Sequence, residues 1–294
     1  MQISDRPTYR LGVDVGGTFT DLVLVNNATG QLATAKVPST PEDQSIGVIR
    51  GIERICTEND VDPADITDIL HGTTVATNAV LTRSGARVGL VTTRGYRQIL
   101  HVARSAVPGG VGGWVIWQRK EPLASLELTV EANERVDAEG QVIEPLDVGD
   151  VRAKLERLKA MGIEALTVSL IHSYANPVHE QEILRIAKEV MPDIPVSLSS
   201  DVIPEMQEYE RAETTVVNSY VRPVVSRYVA NLRAALGRSM ADTRLAILRS
   251  DGGLSAAEAA AASPVNLLMS GPAGGVAGAL WISERTGLKN LLTF

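Results

Sequence analysis

The stretch Leu11-Gly12-Val13-Asp14-Val15-Gly16-Gly17-Thr18-Phe19-Thr20-Asp21 decides the fold. An apolar strand carries an aspartate into a tight glycine turn, and the chain returns as a second strand. Gly16 and Gly17 let backbone N–H groups approach and wrap phosphate oxygens with no Cβ in the way, while Thr18 and Thr20 add hydroxyl donors. Asp14, at the end of its strand, is placed to hold a hydrated magnesium ion, which takes one or two carboxylates together with phosphate oxygens and water. A Gly-Gly turn alone is usually only a hairpin. The acid two residues before it and the threonines after it set this one apart, and it is neither a Walker loop nor a Gly-x-Gly-x-x-Gly fingerprint.

Working outward, residues Tyr9 to Val37 read as three short strands, LGVDVG, DLVLV and ATAKV. The second turn, Asn27-Ala28-Thr29-Gly30, has hairpin chemistry, so the N-terminus is an antiparallel meander. Ser39-Thr40-Pro41-Glu42 reads as a cap with proline in the first turn, and Ile46, Ile49, Ile52 and Ile55 then recur at near-helical spacing. Strands and helices alternate from there. DILHG (68–72) is followed by a helix from about Thr73, RVGLVTT (87–93) by a short helix after Gly95, and a helix from Val148 to Met161 by the buried strand ALTVSLI (165–171). A helix from His179 to Met191, the strand PVSLS (195–199) and a long helix from Tyr209 to Leu236, interrupted near Pro223, come next. The end runs LAILRS (245–250), an alanine-rich helix from Ser255, the strand VNLLMS (265–270), a Gly-rich turn into a helix, and LLTF (291–294). This alternation predicts a layered α/β fold with mostly parallel crossovers. One region breaks it. Val107 to Leu126 is rich in glycine and carries Trp114 and Trp117, and it reads either as a binding loop with flat apolar surface or as a loop that its tryptophans anchor to the core.

The 294 residues are 44% hydrophobic, enough for a sizeable core and two lobes. A formal charge of −7 leaves no basic field for nucleic acid or anionic membrane. The first thirty residues hold neither a basic start with an apolar core nor a spanning apolar run, so a cytoplasmic location is expected. Cys56 is the single cysteine. It excludes an internal disulfide and reads as buried filler on an apolar helix. His101, His172 and His179 have no cluster spacing and read as structural or surface groups.

Three further motifs join secondary-structure elements. His71-Gly72-Thr73-Thr74-Val75-Ala76-Thr77-Asn78 places an imidazole at a strand end and threonines at a helix start, which suits either an anion or simple capping. Glu208, Glu210 and Arg211 open a long helix, where acids are favoured by the helix dipole alone. Ser270-Gly271-Pro272-Ala273-Gly274-Gly275 is a glycine turn that suits either a nucleotide or close packing.

Together with Thr93-Arg94-Gly95-Tyr96 and Ser250-Asp251-Gly252-Gly253, these stretches and VDVGGTFTD resemble the hydantoinase A, 5-oxoprolinase and acetone/acetophenone carboxylase family across nearly the whole chain. The resemblance implies an actin/hexokinase-like (ribonuclease H-like) α/β fold. Its implied organisation is a phosphate-binding lobe over 1–105, the remainder of that lobe with the tryptophan loop over 106–200, and the start of a second lobe over 201–294. The family's second Asp-x-Gly-Gly-Thr motif is expected after Leu291 to Phe294 and is absent, which implies either a longer protein or a subunit completed by another chain. ATP and Mg2+ are the implied cofactors. The implied roles are catalysis for Asp14 and His71, phosphate binding for Gly16, Gly17, Thr18, Thr20, Asp21, Gly274 and Gly275, and substrate contact for Thr73, Thr74, Asn78, Trp114 and Trp117, with Asp14 also the magnesium ligand. The implied activity is ATP-dependent phosphorylation of a carbonyl or enolate oxygen. A biotin-independent ketone carboxylase subunit is the first reading, and a cyclic amide hydrolase or a non-catalytic docking subunit is the alternative. The implied partners are other subunits of such a complex and a small ketone or cyclic amide.

Overall fold

The computed structural model describes residues 7–40, 42–105, 110, 112–113, 120–237, 240 and 242–293. Trp114 and Trp117 lie outside the described residues. In chain order the strands are β1 (Tyr9–Val15), β2 (Phe19–Asn26), β3 (Leu32–Pro38), β4 (Ile66–Thr73), β5 (Val88–Thr93), β6 (Thr129–Ala132), β7 (Arg135–Val136), β8 (Val142–Glu144), β9 (Ala165–Ser169), β10 (Val196–Leu198), β11 (Arg244–Leu248) and β12 (Leu254–Ala256). The helices are α1 (Gln44–Glu58), α2 (Val75–Leu81), α3 (Ile99–Val102), α4 (Val148–Ala160), α5 (Val178–Val190), α6 (Ser199–Val202), α7 (Glu208–Leu236), α8 (Ala257–Ala262) and α9 (Ser270–Thr286). Two compact units emerge, Met1–Thr82 with Val224–Phe294, and Arg83–Pro223. This grouping cuts the chain elsewhere than at 105 and 200, because β11 and β12 return to the sheet that β1 begins.

The first unit is built on a six-stranded sheet in the order β12-β11-β4-β1-β2-β3. The expected meander is there: β1, β2 and β3 pair antiparallel, with Asp14 opposite Asp21 and Asp21 opposite Lys36. β4 joins β1 in parallel and β11 joins β4 in parallel. Alternation along β1 and β2 buries Leu11, Val13, Val15, Leu22 and Leu24, the period-2 signature of a half-buried sheet. Helix α1 supplies Val48, Ile52, Ile55 and Cys56 to the core, each large side chain contributing roughly 2 kcal/mol by leaving water. Gly51 permits the approach, since a Cβ there would stand 2.3 Å from Leu22 Cδ1. The helix begins later than the sequence suggests: Asp43, not Ser39 or Thr40, is its cap, accepting from Ser45 N at 3.0 Å. Cys56 is buried as expected, and burial first, then Asp62, pushes its thiol up to about 11.

Four expectations in the last third of the chain are corrected. Helix α7 runs through Pro223 without a break. The proline removes one backbone donor, and buried Tyr220, Val221 and Val225 on either side hold the neighbouring turns. The glycines after Ser270 form no turn but lie inside the first turns of α9, and the expected strand VNLLMS (265–270) begins instead within the 3-10 turn Pro264–Leu267. Residues 287–293, which include Leu291 to Thr293 of the expected LLTF strand, carry no strand; Phe294 lies outside the described residues.

The second unit holds a four-stranded parallel sheet in the order β10-β9-β5-β6 and a two-stranded ribbon, β7-β8. All residues of β5 and β9 are buried, as expected of parallel strands covered on both faces. Leu155 and Leu158 of α4 and Ile183 and Ile186 of α5 join Leu166 and Val168 in the core. Strands β6 to β8 are short and carry no periodic signal, so the sequence does not announce them. Among the described residues no helix is long and apolar enough to cross a membrane.

Candidate functional site

The turn between β1 and β2 is closed by Gly16 N donating to Phe19 O at 3.0 Å. Gly16 is required by crowding, since a Cβ would lie 3.2 Å from that same carbonyl; Gly17 meets nothing within 4 Å. Ser39 braces the turn from behind, donating its hydroxyl to Gly16 O at 2.9 Å and its N–H to Thr18 O at 2.9 Å. The threonines therefore divide. Thr18 is exposed at the turn, whereas Thr20 is fully buried and bonds Ser39 Oγ at 3.0 Å, so its hydroxyl shapes the turn from within.

One row crosses the sheet: Gly72 on β4, Asp14 on β1, Asp21 on β2 and Lys36 on β3. Gly72 leaves room for the aspartate, because a Cβ there would come 3.3 Å from Asp14 Oδ1. Burial first, then the facing Asp21 charge, push the Asp14 carboxyl above the usual carboxylate range. Lys36 Nζ answers Asp21 at 3.0 Å. Both partners are about half exposed, so the ion pair contributes little stability. Lys36 balances Asp21 and leaves Asp14 the less compensated of the two carboxylates.

Gly72, Asp14 and Asp21 of this row form part of the wall of a cavity of about 590 Å³ lined also by Thr74, Leu248, Leu254, Gly271, Gly274 and Gly275. Gly274 and Gly275 are thus brought to Asp14 and Asp21, though as helix residues. A Cβ on Gly274 would stand 2.9 Å from Leu248 Cδ2, so glycine lets α9 press onto β11. The first turn of α9 has no side-chain cap; Met269, in the left-handed region at φ 63°, leads into it and Ser270 Oγ donates to Thr73 O at 3.4 Å. Uncapped N–H groups at a helix start favour an anion. Thr74 Oγ1 donates to Val15 O at 3.3 Å and accepts from Asn78 Nδ2 at 3.2 Å. Asn78 thereby supports Thr74 and is not itself in the wall.

His71 and Thr73 also line this cavity, although both side chains are buried. The His71 ring is wholly buried and its Nε2 meets Tyr228 Oη at 2.6 Å. Burial lowers its pKa to about 4, the Val13 backbone acting weakly against that, and the Tyr228 hydroxyl is held well above the ordinary phenol range, chiefly by burial. The neutral imidazole, bonded to Tyr228, holds β4 in place. Lys36, Ser39 and Tyr228 escaped the sequence reading. Lys36 is recoverable from hairpin register, but Tyr228, 157 residues from His71, leaves no local signal. Among the described residues no group of three or more side chains stands ready to hold a metal ion.

A meander extended by parallel strands, with a glycine turn and paired carboxylates at its edge, defines an α/β lobe of the actin/hexokinase-like class. The chain belongs to the hydantoinase/oxoprolinase family: residues 10–191 match the hydantoinase/oxoprolinase N-terminal region and residues 211–294 match hydantoinase/oxoprolinase. It is 32% identical over 305 residues to the acetophenone carboxylase gamma subunit of Aromatoleum aromaticum, covering 96% of this chain and 40% of the relative. It is 31% identical over 289 residues to the caprolactamase subunit alpha of Pseudomonas jessenii, covering 97% and 41%. The solved ATP-dependent caprolactamase from that organism superposes with a TM-score of 0.82 at 29% identity, over 96% of this chain and 41% of that one. Nucleotide-free acetone carboxylase superposes with a TM-score of 0.86 at 26% identity, over 97% and 42%. The chain spans about two fifths of the length of these relatives.

Proposed function

We propose that this chain is the phosphate-gripping part of an ATP-dependent enzyme that activates a carbonyl or enolate oxygen by phosphorylation, as a component of a ketone carboxylase. The observation that carries the reading is the pairing of Asp14 with Asp21 in the wall of a cavity that the uncapped start of α9 also lines. The carboxylates suit a divalent cation and the helix start suits an anion, so the two together match a metal-bound phosphate. The donor set fits magnesium: Asp14 is the less compensated carboxylate, and burial first, then the facing Asp21 charge, raise its pKa, both of which a bound cation would offset. When bound, magnesium supplies charge neutralisation for the transferred phosphoryl group. The residues of this chain do the positioning. Gly72 leaves Asp14 its room, Lys36 balances Asp21, and Gly16 with the Ser39 brace fixes the turn where Gly17 and Thr18 offer backbone and hydroxyl donors. Gly274 and Gly275 let the helix start approach.

Likeness to acetone and acetophenone carboxylases supports a ketone as substrate, and likeness to caprolactamase supports a second reading, ATP-dependent opening of a cyclic amide. In either case other subunits complete the complex. ATP hydrolysis by the complete assembly, measured with a ketone plus bicarbonate and separately with a lactam, decides between them: ketone-stimulated turnover is expected. Stimulation by the lactam alone selects the second reading, and ATP turnover unaffected by Asp14→Asn overturns both.

A further inference from the structure

The end of β4 is held by buried polar contacts that reach well beyond β4 itself. Tyr228, on the part of α7 that belongs to the first unit, is 6% exposed, and its hydroxyl meets His71 Nε2 at 2.6 Å. The side chain of Thr73, two residues further along β4, bonds the same hydroxyl. Burying a phenol and an imidazole costs more than burying apolar side chains of similar shape, so packing alone does not account for the pair. What the pair adds is direction. Apolar contact fixes how closely α7 and β4 approach, whereas bonds to Oη also fix how the strand is turned where it ends.

From the end of β4 the contacts spread in three directions, all within the first unit. Thr73 O accepts from Ser270 Oγ at 3.4 Å, at the start of α9. Thr73 Oγ1 accepts from Val75 N at 3.3 Å, at the start of α2. Thr74 Oγ1 donates to Val15 O at 3.3 Å, immediately before the glycine turn, and Thr73 stands opposite Val15 across the sheet. One buried hydroxyl therefore lies behind the point where the glycine turn, α2 and the uncapped start of α9 meet. Asn231, three residues beyond Tyr228 and on the same face of α7, donates to Asp43 Oδ2 at 3.0 Å. Asp43 caps α1, and its carbonyl accepts from Thr40, the neighbour of the Ser39 brace. Helix α7 thus holds the turn through β4 and, more weakly, through α1.

We infer that Tyr228 is a positioning residue for phosphoryl transfer: through Thr73 and Thr74 it sets the spacing between the glycine turn and the start of α9, the two places that offer backbone N–H donors. It acts through these neighbours and not by touching a phosphate. That a phosphate is received there rests on the proposed function; the link from Tyr228 to both donor groups does not. Loss of the hydroxyl lets the two groups shift relative to each other. Such a shift harms rate more than binding, because donors that still face a bound anion no longer match the charge that develops during transfer.

The test compares Tyr228→Phe, which keeps the ring and removes the hydroxyl, with Tyr220→Phe at an equally buried position earlier on α7, where the ring packs over Gly85. Amide chemical shifts of the isotope-labelled, nucleotide-free chain are read first: Tyr228→Phe is expected to move Gly16, Val75 and Gly271, and Tyr220→Phe to leave them in place. ATP turnover of the complete assembly is read second, with kcat in Tyr228→Phe expected to fall about tenfold and KM for Mg-ATP to change by less than about twofold. Thr73→Val breaks the same link from the strand side and is expected to give the same pattern, so the question stays decidable if Tyr228→Phe does not fold. Unmoved amides at Gly16 and Gly271, an unchanged kcat, or an equal loss of kcat in Tyr220→Phe overturns the inference. Asp14→Asn in the same assay keeps the two ideas apart. Normal turnover in Tyr228→Phe beside lost turnover in Asp14→Asn removes the positioning role alone, whereas normal turnover in Asp14→Asn overturns the proposed function itself.

Discussion

His71 makes the first unit acid-sensitive in a calculable way. Its folded-state pKa is about 4 against an ordinary 6.5, with burial the main cause. The depressed value means that the unfolded chain binds a proton on this ring between pH 6.5 and 4 while the folded chain does not. Stability contributed by the neutral ring is therefore fully present above pH 6.5 and lost as pH falls toward 4. The full 2.5-unit gap corresponds to about 3 kcal/mol, and roughly 2.5 kcal/mol of that is gone by pH 4.5. Denaturant unfolding of the wild type and of His71→Gln at pH 7.5 and 4.5 isolates the effect, because other acid-titrating groups are common to both. The expected result is a variant less stable at pH 7.5, having lost the bond to Tyr228, whose stability falls between the two pH values by about 2 kcal/mol less than that of the wild type. Equal pH dependence in the two proteins would refute the placement of a neutral, buried imidazole.

Asp14→Asn is expected to leave the melting temperature equal or higher, because it removes a charge that faces Asp21, while lowering ATP turnover of the complete assembly roughly 100-fold; calorimetry and a phosphate-release assay check the two halves. Gly51→Ala should destabilise by about 1–3 kcal/mol in denaturant melts, since the methyl would meet Leu22 Cδ1, and overpacking outweighs the gain in helix propensity. Arg211→Met should cost about 3 kcal/mol by stripping Leu170 O and Ser199 Oγ of a buried donor. Hydrogen exchange would then quicken first in the opening turn of α7.

The parts of the fold that sequence shows well are those in which chemistry and periodicity coincide over adjacent residues. The hairpin from Tyr9 to Val37 is one such part, because alternation fixes both strands and the glycines fix the turn. The helix over Ile46 to Ile55 is legible for the same reason, although its true start at Asp43 depended on one carboxylate reaching Ser45 N. The candidate site was half legible. Asp14, Asp21, Gly274 and Gly275 share a wall with His71 and Thr73, but the side chains of His71, Thr73 and Thr20 are buried. A strand end exposes one face and buries the other, and a motif spelled along a strand does not say which face its members share. Glycines after Ser270 read as a turn because glycine is scarce in helices; here they are tolerated where α9 must press against β11. Arg211 looked like an ordinary helix-start residue, since burial among carbonyls from Leu170, just after β9, and from the segment before α7 arises only when distant chain segments meet.

The turn at Asn27 to Gly30 lies far along the hairpin from the glycine turn, yet its length sets which residue of β3 stands beside Asp21. Adding or deleting one residue there would slide Ala35 or Val37 into that position and turn Lys36 to the opposite side. Two carboxylates would then share the neighbourhood with no ammonium near them. A surface loop that touches no ligand thus acts as a dial on the charge at the opposite end of the hairpin, and loop-length variants offer a means to retune cation affinity without altering any residue in the cavity wall.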